Sequence, residues 1–203
     1  MNSFLKKVQP YPFERLRSLL AGVTPNPALP PLNLSIGDRK HPAPPLVVKT
    51  LQDSMAGLSA YPLTIGTPAL REAMAGWIRR RYGLSRFDAA TEVLPVNGSR
   101  EALFSFAQSV LDPLDSAATV LLPNPFYQIY EGAALLGGAT PVYVEQSRRL
   151  DFRCDWNAVP ESVWRTTRLV YTCWPANPSG SVMTLDEWRQ LFELSDRYGF
   201  VIA

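Results

Sequence analysis

The sequence is poor in the residues that most often build metal sites and disulfide frameworks. Its 203 residues contain one histidine, His41, and two cysteines, Cys154 and Cys173. Because a lone histidine cannot assemble a metal-binding cluster, we predict no metal site. Two cysteines in a chain of this length indicate reduced, buried thiols, with a disulfide as the alternative. His41 precedes a proline and is predicted to lie in a loop, with catalysis as the alternative.

Lysine, net charge and long apolar segments are also scarce. The four lysines, Lys6, Lys7, Lys40 and Lys49, all lie in the first 49 residues. The formal net charge of +2 is too small to indicate binding to nucleic acid or to a membrane surface. No apolar run suits a signal peptide or a membrane span, and we therefore predict a cytoplasmic location.

Proline is abundant, with 19 residues, and many of them lie in the first 45 positions, which predicts an extended N-terminal arm. Strands that alternate with helices predict an α/β fold with a mostly parallel sheet flanked by helices. Periodicity predicts helices over residues 13–20, 45–58, 68–82, 100–110, 127–136 and 185–198, and strands over residues 92–96, 119–122, 141–144, 169–174 and 200–203.

A turn from a predicted strand into a helix contains Gly98, Ser99 and Arg100. Gly98 lets the backbone turn tightly, and the amides of the next two residues open the helix. A helix N-terminus with a neighbouring hydroxyl can bind a phosphate. The alternative is a simple helix cap, which is common in such turns.

Two further predicted strands end in loops that suit a flat ligand. After residues 119–122, two prolines stiffen a loop that presents Phe126, predicted to be core, and Tyr127, predicted to be core or to stack on a heteroaromatic ring. After residues 169–174, Pro178 and Gly180 break the chain and hold Asn177 at the carboxyl end of the sheet, where open α/β sheets bind ligands.

These motifs, in this order, resemble those of the class I and II aminotransferases, which depend on pyridoxal 5'-phosphate and have fold type I. The matching segments are residues 9–13, 34–38, 94–103 and 123–134. Within the family the resemblance is greatest to the succinyldiaminopimelate transaminases. It implies that Ser99 and Arg100 hold the cofactor phosphate, largely through main-chain amides and the serine hydroxyl. Tyr127 is implied to stack on the pyridine ring, and Asn177 to bond its 3'-oxygen.

The resemblance also implies a homodimer, in which Tyr61 reaches the cofactor phosphate of the other subunit. From the residues alone, a plain turn before a helix is the alternative for Tyr61. Gly37 is implied to contact the substrate carboxylate through its backbone. Residues 1–45 are implied to form the arm and part of the small domain, and residues 46–203 an incomplete cofactor-binding large domain.

None of the four lysines matches the position of the family's Schiff-base lysine. That lysine, the aspartate that holds the pyridine nitrogen and two ligand-binding arginines are expected after Ala203. The chain is therefore interpreted as the N-terminal portion of the enzyme, inactive by itself.

The implied reaction transfers an amino group between glutamate/2-oxoglutarate and N-succinyl-diaminopimelate/N-succinyl-2-amino-6-oxopimelate, in lysine and diaminopimelate biosynthesis. The alternatives are another class I or II aminotransferase or carbon–sulfur lyase, and a non-catalytic truncated relative that acts by binding.

Overall fold

The computed structural model describes residues 3–30, 32, 34, 37 and 41–203. Most of the motif at residues 34–38, apart from Leu34 and Gly37, lies outside the described residues. The chain divides into two compact units. One comprises the described residues up to Pro10 together with Val96–Ala203, and the other comprises the described residues from Tyr11 to Pro95. The boundary at residue 45 stays a prediction.

The unit from Tyr11 to Pro95 is helical. Its helices are α1, Pro12–Leu20; α2, Pro45–Asp53, followed by a 3-10 turn at Met55–Ser59; and α3, Pro68–Tyr82. The amide of Leu70 donates to the side chain of Thr67 at the start of α3, and Gly83 ends the helix in a left-handed conformation with φ of 64°. The predicted helix over residues 68–82 is therefore confirmed at both ends. His41 lies in an exposed bend, as predicted.

The second unit alternates helices with strands. In chain order it contains α4, Ser99–Val110; β1, Thr119–Asn124; α5, Gln128–Leu136; β2, Thr140–Ser147; β3, Arg153–Cys154; α6, Glu161–Trp164; β4, Thr167–Val170; α7, Leu185–Tyr198; and β5, Val201–Ile202. The sheet order is β3-β2-β1-β4-β5, in which only β3 runs antiparallel to its neighbour. In the described part of the chain, no helix is long and apolar enough to cross a bilayer.

Both faces of this sheet are buried. Val120 and Leu122 pack with residues of α4 and α5 on one face, whereas Leu121 packs with residues of α6 and α7 on the other. All three side chains are fully buried in the central strand. Helices on both faces of a mostly parallel sheet are the predicted α/β architecture, which is thus confirmed.

Two strand predictions were wrong. Residues 92–96 form no strand, and Leu94 and Val96 are 65% and 53% exposed. A strand needs a neighbour to satisfy its backbone, and no described residues pair with this segment. The predicted strand over residues 169–174 ends at Val170, although the amide of Thr172 still donates to the carbonyl of Ala203 over 2.7 Å.

The thiol prediction holds for one cysteine. Both cysteines are free, and Cys154 is buried. Cys173 is only half-buried, because it follows the end of β4 rather than lying within the strand.

Candidate functional site

The structure brings three of the predicted ligand residues to one cavity of about 530 Å³. Ser99, Tyr127 and Asn177 all border it. The cavity lies where β1, β2 and β4 end, which is the edge at which parallel strands present their loops to ligands. Its volume lies within the range of about 300–1,000 Å³ that is usual for small-molecule sites.

Ser99 is the first residue of α4, and the amino end of this helix is open. Gly98 occupies the N-cap position, and no side chain there accepts from the first-turn amides. Such amides carry a partial positive charge, and they suit an anion. The expected tight turn is absent, because Gly98 has an extended backbone with φ of 176°. A Cβ at this position would meet only the movable carboxylate of Glu101, at 2.8 Å.

Tyr127, which precedes α5, is held on two sides. Nε of Arg100 donates to its hydroxyl over 2.6 Å, and the guanidinium carbon lies 5.7 Å from the ring centroid. The ring also packs edge-on against Tyr130, with centroids 5.7 Å apart and an interplanar angle of 87°. A ring fixed in this way can stack on a flat ligand. Phe126 is half-buried and stacks on Tyr143 at 5.3 Å, which fits the predicted packing role in part.

Asn177 lies in a hydrogen-bonded turn after β4. The amide of Gly180 donates to the carbonyl of Ala176 over 2.7 Å, and the amide of Ala176 donates to the carbonyl of Ser181 over 2.8 Å. Gly180 has φ of 75°, a left-handed conformation that favours glycine. The turn leaves Asn177 exposed at the cavity, so its amide is available to a ligand.

Tyr130 also borders the cavity, and the sequence reasoning missed it. It stacks on Tyr171 with centroids 4.2 Å apart and an angle of 11°, and both residues are buried. Burial raises the pKa of each phenol to about 12. The spacing of three residues from Tyr127 was an available signal, because positions i and i+3 share a helical face.

Gln146, at the end of β2, is a second missed residue on the cavity. The residue is 9% exposed, and Oε1 has no hydrogen-bond partner among the described residues. Residues two apart on a strand lie on the same face of the sheet, so the position of Gln146 two residues after Val144 was the available signal. Cys173 also borders the cavity. Cys154 does not, and its burial raises the pKa of its thiol to about 12, although a hydrogen bond from Gln146 lowers that pKa in part.

The remaining two predicted site residues belong to the unit from Tyr11 to Pro95. Tyr61 is 96% exposed, so its hydroxyl is not a buried group that needs a partner within the chain. Gly37 is exposed, and a Cβ there would meet nothing within 4 Å. The ligand roles of both residues stay predictions.

The cavity has the chemistry of a site for a flat, anionic, heteroaromatic ligand. The open amino end of α4 suits a phosphate, Tyr127 offers an aromatic face, and Asn177 offers an amide. These groups fit pyridoxal 5'-phosphate.

The chain is similar in sequence and in structure to known aminotransferases. The model of the family described as "Aminotransferase class I and II" matches residues 30–203. An LL-diaminopimelate aminotransferase from Dehalococcoides mccartyi is 32% identical over 174 residues, which are 85% of this chain and 44% of that protein.

Two solved structures are similar over the whole chain. An aminotransferase from Neisseria meningitidis has a TM-score of 0.94 and 48% identity, covering 100% of this chain and 51% of that one. The N-succinyldiaminopimelate aminotransferase from Mycobacterium tuberculosis has a TM-score of 0.82 and 28% identity, covering 100% of this chain and 50% of that one. The chain thus spans about half the length of the relatives that it matches.

Proposed function

Since the chain belongs to the class I and II aminotransferase family, whose members depend on pyridoxal 5'-phosphate, we propose that it is the N-terminal portion of such an enzyme and supplies much of its cofactor site. The observation that carries the proposal is the convergence of Ser99, Tyr127 and Asn177 on one cavity at the carboxyl end of a parallel sheet. When bound, the cofactor supplies an electron sink for moving an amino group between an amino acid and a 2-oxo acid.

In this proposal the amino end of α4 binds the cofactor phosphate. The main-chain amides of Ser99 and Arg100 donate to it, and the Ser99 hydroxyl adds a further hydrogen bond. The absence of a side-chain cap at Gly98 supports this role, because the amino end of a helix carries a partial positive charge that suits an anion. The Arg100 side chain contacts Tyr127 instead, so it acts by fixing that ring.

The ring of the cofactor lies against Tyr127, and the Asn177 side-chain amide donates to the ring oxygen. The contacts of Tyr127 with Arg100 and Tyr130 support this arrangement, since a ring held on two sides loses little further freedom on binding. The turn closed by Gly180 gives Asn177 comparable rigidity.

The unit from Tyr11 to Pro95 is proposed to contribute residues that contact the substrate and the cofactor of a second subunit. Tyr61 reaches the phosphate bound by the partner copy of a homodimer, for which its 96% exposure leaves it available. Gly37 contacts the substrate carboxylate through its backbone. In this proposal residues 1–45 form the arm with part of a small domain, and residues 46–203 form the incomplete large domain. The proposed location is the cytoplasm.

The proposed substrate is a diaminopimelate derivative, with glutamate/2-oxoglutarate as the other amino pair. The name of the Dehalococcoides mccartyi relative supports diaminopimelate, and that of the Mycobacterium tuberculosis structure supports its N-succinyl form. Among these alternatives we favour N-succinyl-diaminopimelate, in lysine and diaminopimelate biosynthesis. None of Lys6, Lys7 and Lys49 borders the described cavity, and we propose that the catalytic lysine follows residue 203.

Binding of the cofactor tests the site directly. Pyridoxamine 5'-phosphate is the appropriate probe, because it has no aldehyde to react with surface lysines. Equilibrium dialysis should show binding that Ser99→Ala weakens. Ser105→Ala is the matched control, since Ser105 is exposed on the same helix but does not border the cavity. Equal affinities for both variants and the parent chain would contradict the assignment of Ser99.

The substrate is tested after sequencing the DNA downstream of the Ala203 codon. An in-frame continuation that encodes a lysine allows the complete protein to be assayed with glutamate and both the N-succinyl and free forms of the keto acceptor. Preference for the free form would contradict the succinyl proposal. An immediate stop codon would favour the non-catalytic alternative, and carbon–sulfur bond cleavage without amino transfer would favour the lyase alternative.

A further inference from the structure

Tyr130 presents a hydroxyl at the edge of the cavity. The residue is 4% exposed and borders the cavity, yet its hydroxyl makes no hydrogen bond within the part of the chain that the structure describes. The hydroxyl itself is not one of the described buried polar atoms that lack a hydrogen-bond partner, so it is open to the cavity rather than enclosed by the chain. A ligand in the cavity can therefore reach it.

The neighbouring tyrosine shows the contrast. Tyr171 is fully buried and stacks on Tyr130, but its hydroxyl donates to the carbonyl of Leu103 over 2.7 Å. Tyr171 does not border the cavity. Of two stacked phenols, therefore, the one with an internal partner lies away from the cavity and the one without lies on it.

The position of the Tyr130 hydroxyl is fixed before any ligand arrives. One face of its ring packs on Tyr171 at 4.2 Å, and Tyr127 meets it edge-on at 5.7 Å. Burial, with smaller contributions from Cys173 and Tyr127, raises the pKa of Tyr130 to about 12, so the hydroxyl keeps its proton at neutral pH. Cys173 and Tyr127 both border the cavity. The hydroxyl is thus a preorganised donor beside the residues proposed to hold the ring.

We propose that the Tyr130 hydroxyl donates a hydrogen bond to an acceptor atom of the pyridoxal ring, and that Tyr130 is a further cofactor-binding residue of this chain. The inference rests on the proposed function, because it requires the same ligand in the same cavity. It assigns Tyr130 to the ring and leaves the phosphate to the amino end of α4.

The test compares Tyr130→Phe with Tyr171→Phe, which removes the other hydroxyl of the same stack. Equilibrium dialysis of pyridoxamine 5'-phosphate should give about three- to tenfold weaker binding for Tyr130→Phe, as expected for one lost hydrogen bond. Tyr171→Phe should bind as the parent chain does. Without ligand, the thermal midpoint should fall for Tyr171→Phe and should not fall for Tyr130→Phe, because only the first loses an internal hydrogen bond.

Several outcomes would overturn the inference. Parent-like binding by Tyr130→Phe would do so while leaving the proposed function intact. Equal weakening by both variants would assign the effect to the stack rather than to the hydroxyl. A lower midpoint for ligand-free Tyr130→Phe would show that the hydroxyl already has a partner. No binding by the parent chain would contradict the assignment of this cavity as the cofactor site, and this inference with it.

Discussion

Alkaline pH should destabilise the chain through the stacked pair Tyr130 and Tyr171. Each phenol has a pKa of about 12 in the folded chain, against 10.0 for a free tyrosine. Below pH 10 both phenols keep their protons in the folded and in the unfolded chain, so the free energy of unfolding is not reduced by their ionisation. As the pH rises from 10 to 12 the unfolded chain releases protons that the folded chain retains, so the free energy of unfolding falls. At 1.36 kcal/mol per pKa unit, each phenol removes about 1 kcal/mol at pH 11.

The variant Tyr171→Phe tests this loss, because the free energy of unfolding can be followed against pH for the variant and for the parent chain. At neutral pH the variant should be less stable by about 1 kcal/mol, because it lacks the hydrogen bond to the carbonyl of Leu103. With one fewer phenol to titrate, it should lose less stability as the pH rises, and its curve should meet that of the parent near pH 11. The Cys154 thiol also titrates in this range, but it is common to both chains.

Urea unfolding followed by circular dichroism, repeated over a series of pH values at constant ionic strength, measures both curves. Ultraviolet absorbance of tyrosinate reports the phenol ionisation in the same samples. Parallel curves for the parent and Tyr171→Phe between pH 8 and pH 11 would refute the reasoning, because they would mean that Tyr171 ionises equally easily in both states.

Three further results follow from the packing. Thr184→Ala should lower the free energy of unfolding by about 1 kcal/mol, because it removes the side chain that caps α7, and Thr184→Ser should restore it; equal stability of all three chains in urea would refute this. Leu121→Ala should cost about 2–5 kcal/mol in the same assay, and a smaller loss would mean that the site collapses around the missing atoms. In the folded chain a small alkylating reagent should modify Cys173 and spare Cys154, with pyridoxamine 5'-phosphate slowing the reaction; mass spectrometry identifies the site, and early modification of Cys154 would contradict its burial.

The sequence predicts helix boundaries well where local chemistry defines them. Thr184 and Glu187 form the capping box at the start of α7, and Gly199 ends the helix in a left-handed conformation. These signals are complete within a few residues of the helix, so no distant contact is needed to read them. The predicted helix over residues 185–198 is accordingly confirmed.

Strands depend on neighbours that local sequence does not identify. Residues 92–96 have the apolar pattern of a strand but no described partner, whereas β3, Arg153–Cys154, forms because Gln146 and Ser147 of β2 lie beside it. The two residues of β3 are too few to produce a periodic pattern in the sequence.

The candidate site shows the same division. Ser99 and Asn177 were predictable because each follows a strand or begins a helix, and the parallel sheet then brings them together. Tyr130 and Tyr171 look alike in the sequence. Only the fold shows which hydroxyl meets a carbonyl and which meets the cavity.

The burial of β1 on both faces restricts how this sequence can change in length. Leu121 and Leu122 are neighbours in the chain but belong to different cores. Inserting or deleting one residue within β1 would move every later side chain of the strand to the opposite face of the sheet. It would also shift the loop that carries Tyr127. The loop between α4 and β1, at residues 111–118, can absorb such a change at lower cost. Among distant relatives, insertions and deletions should therefore collect in such loops, while β1 keeps its length.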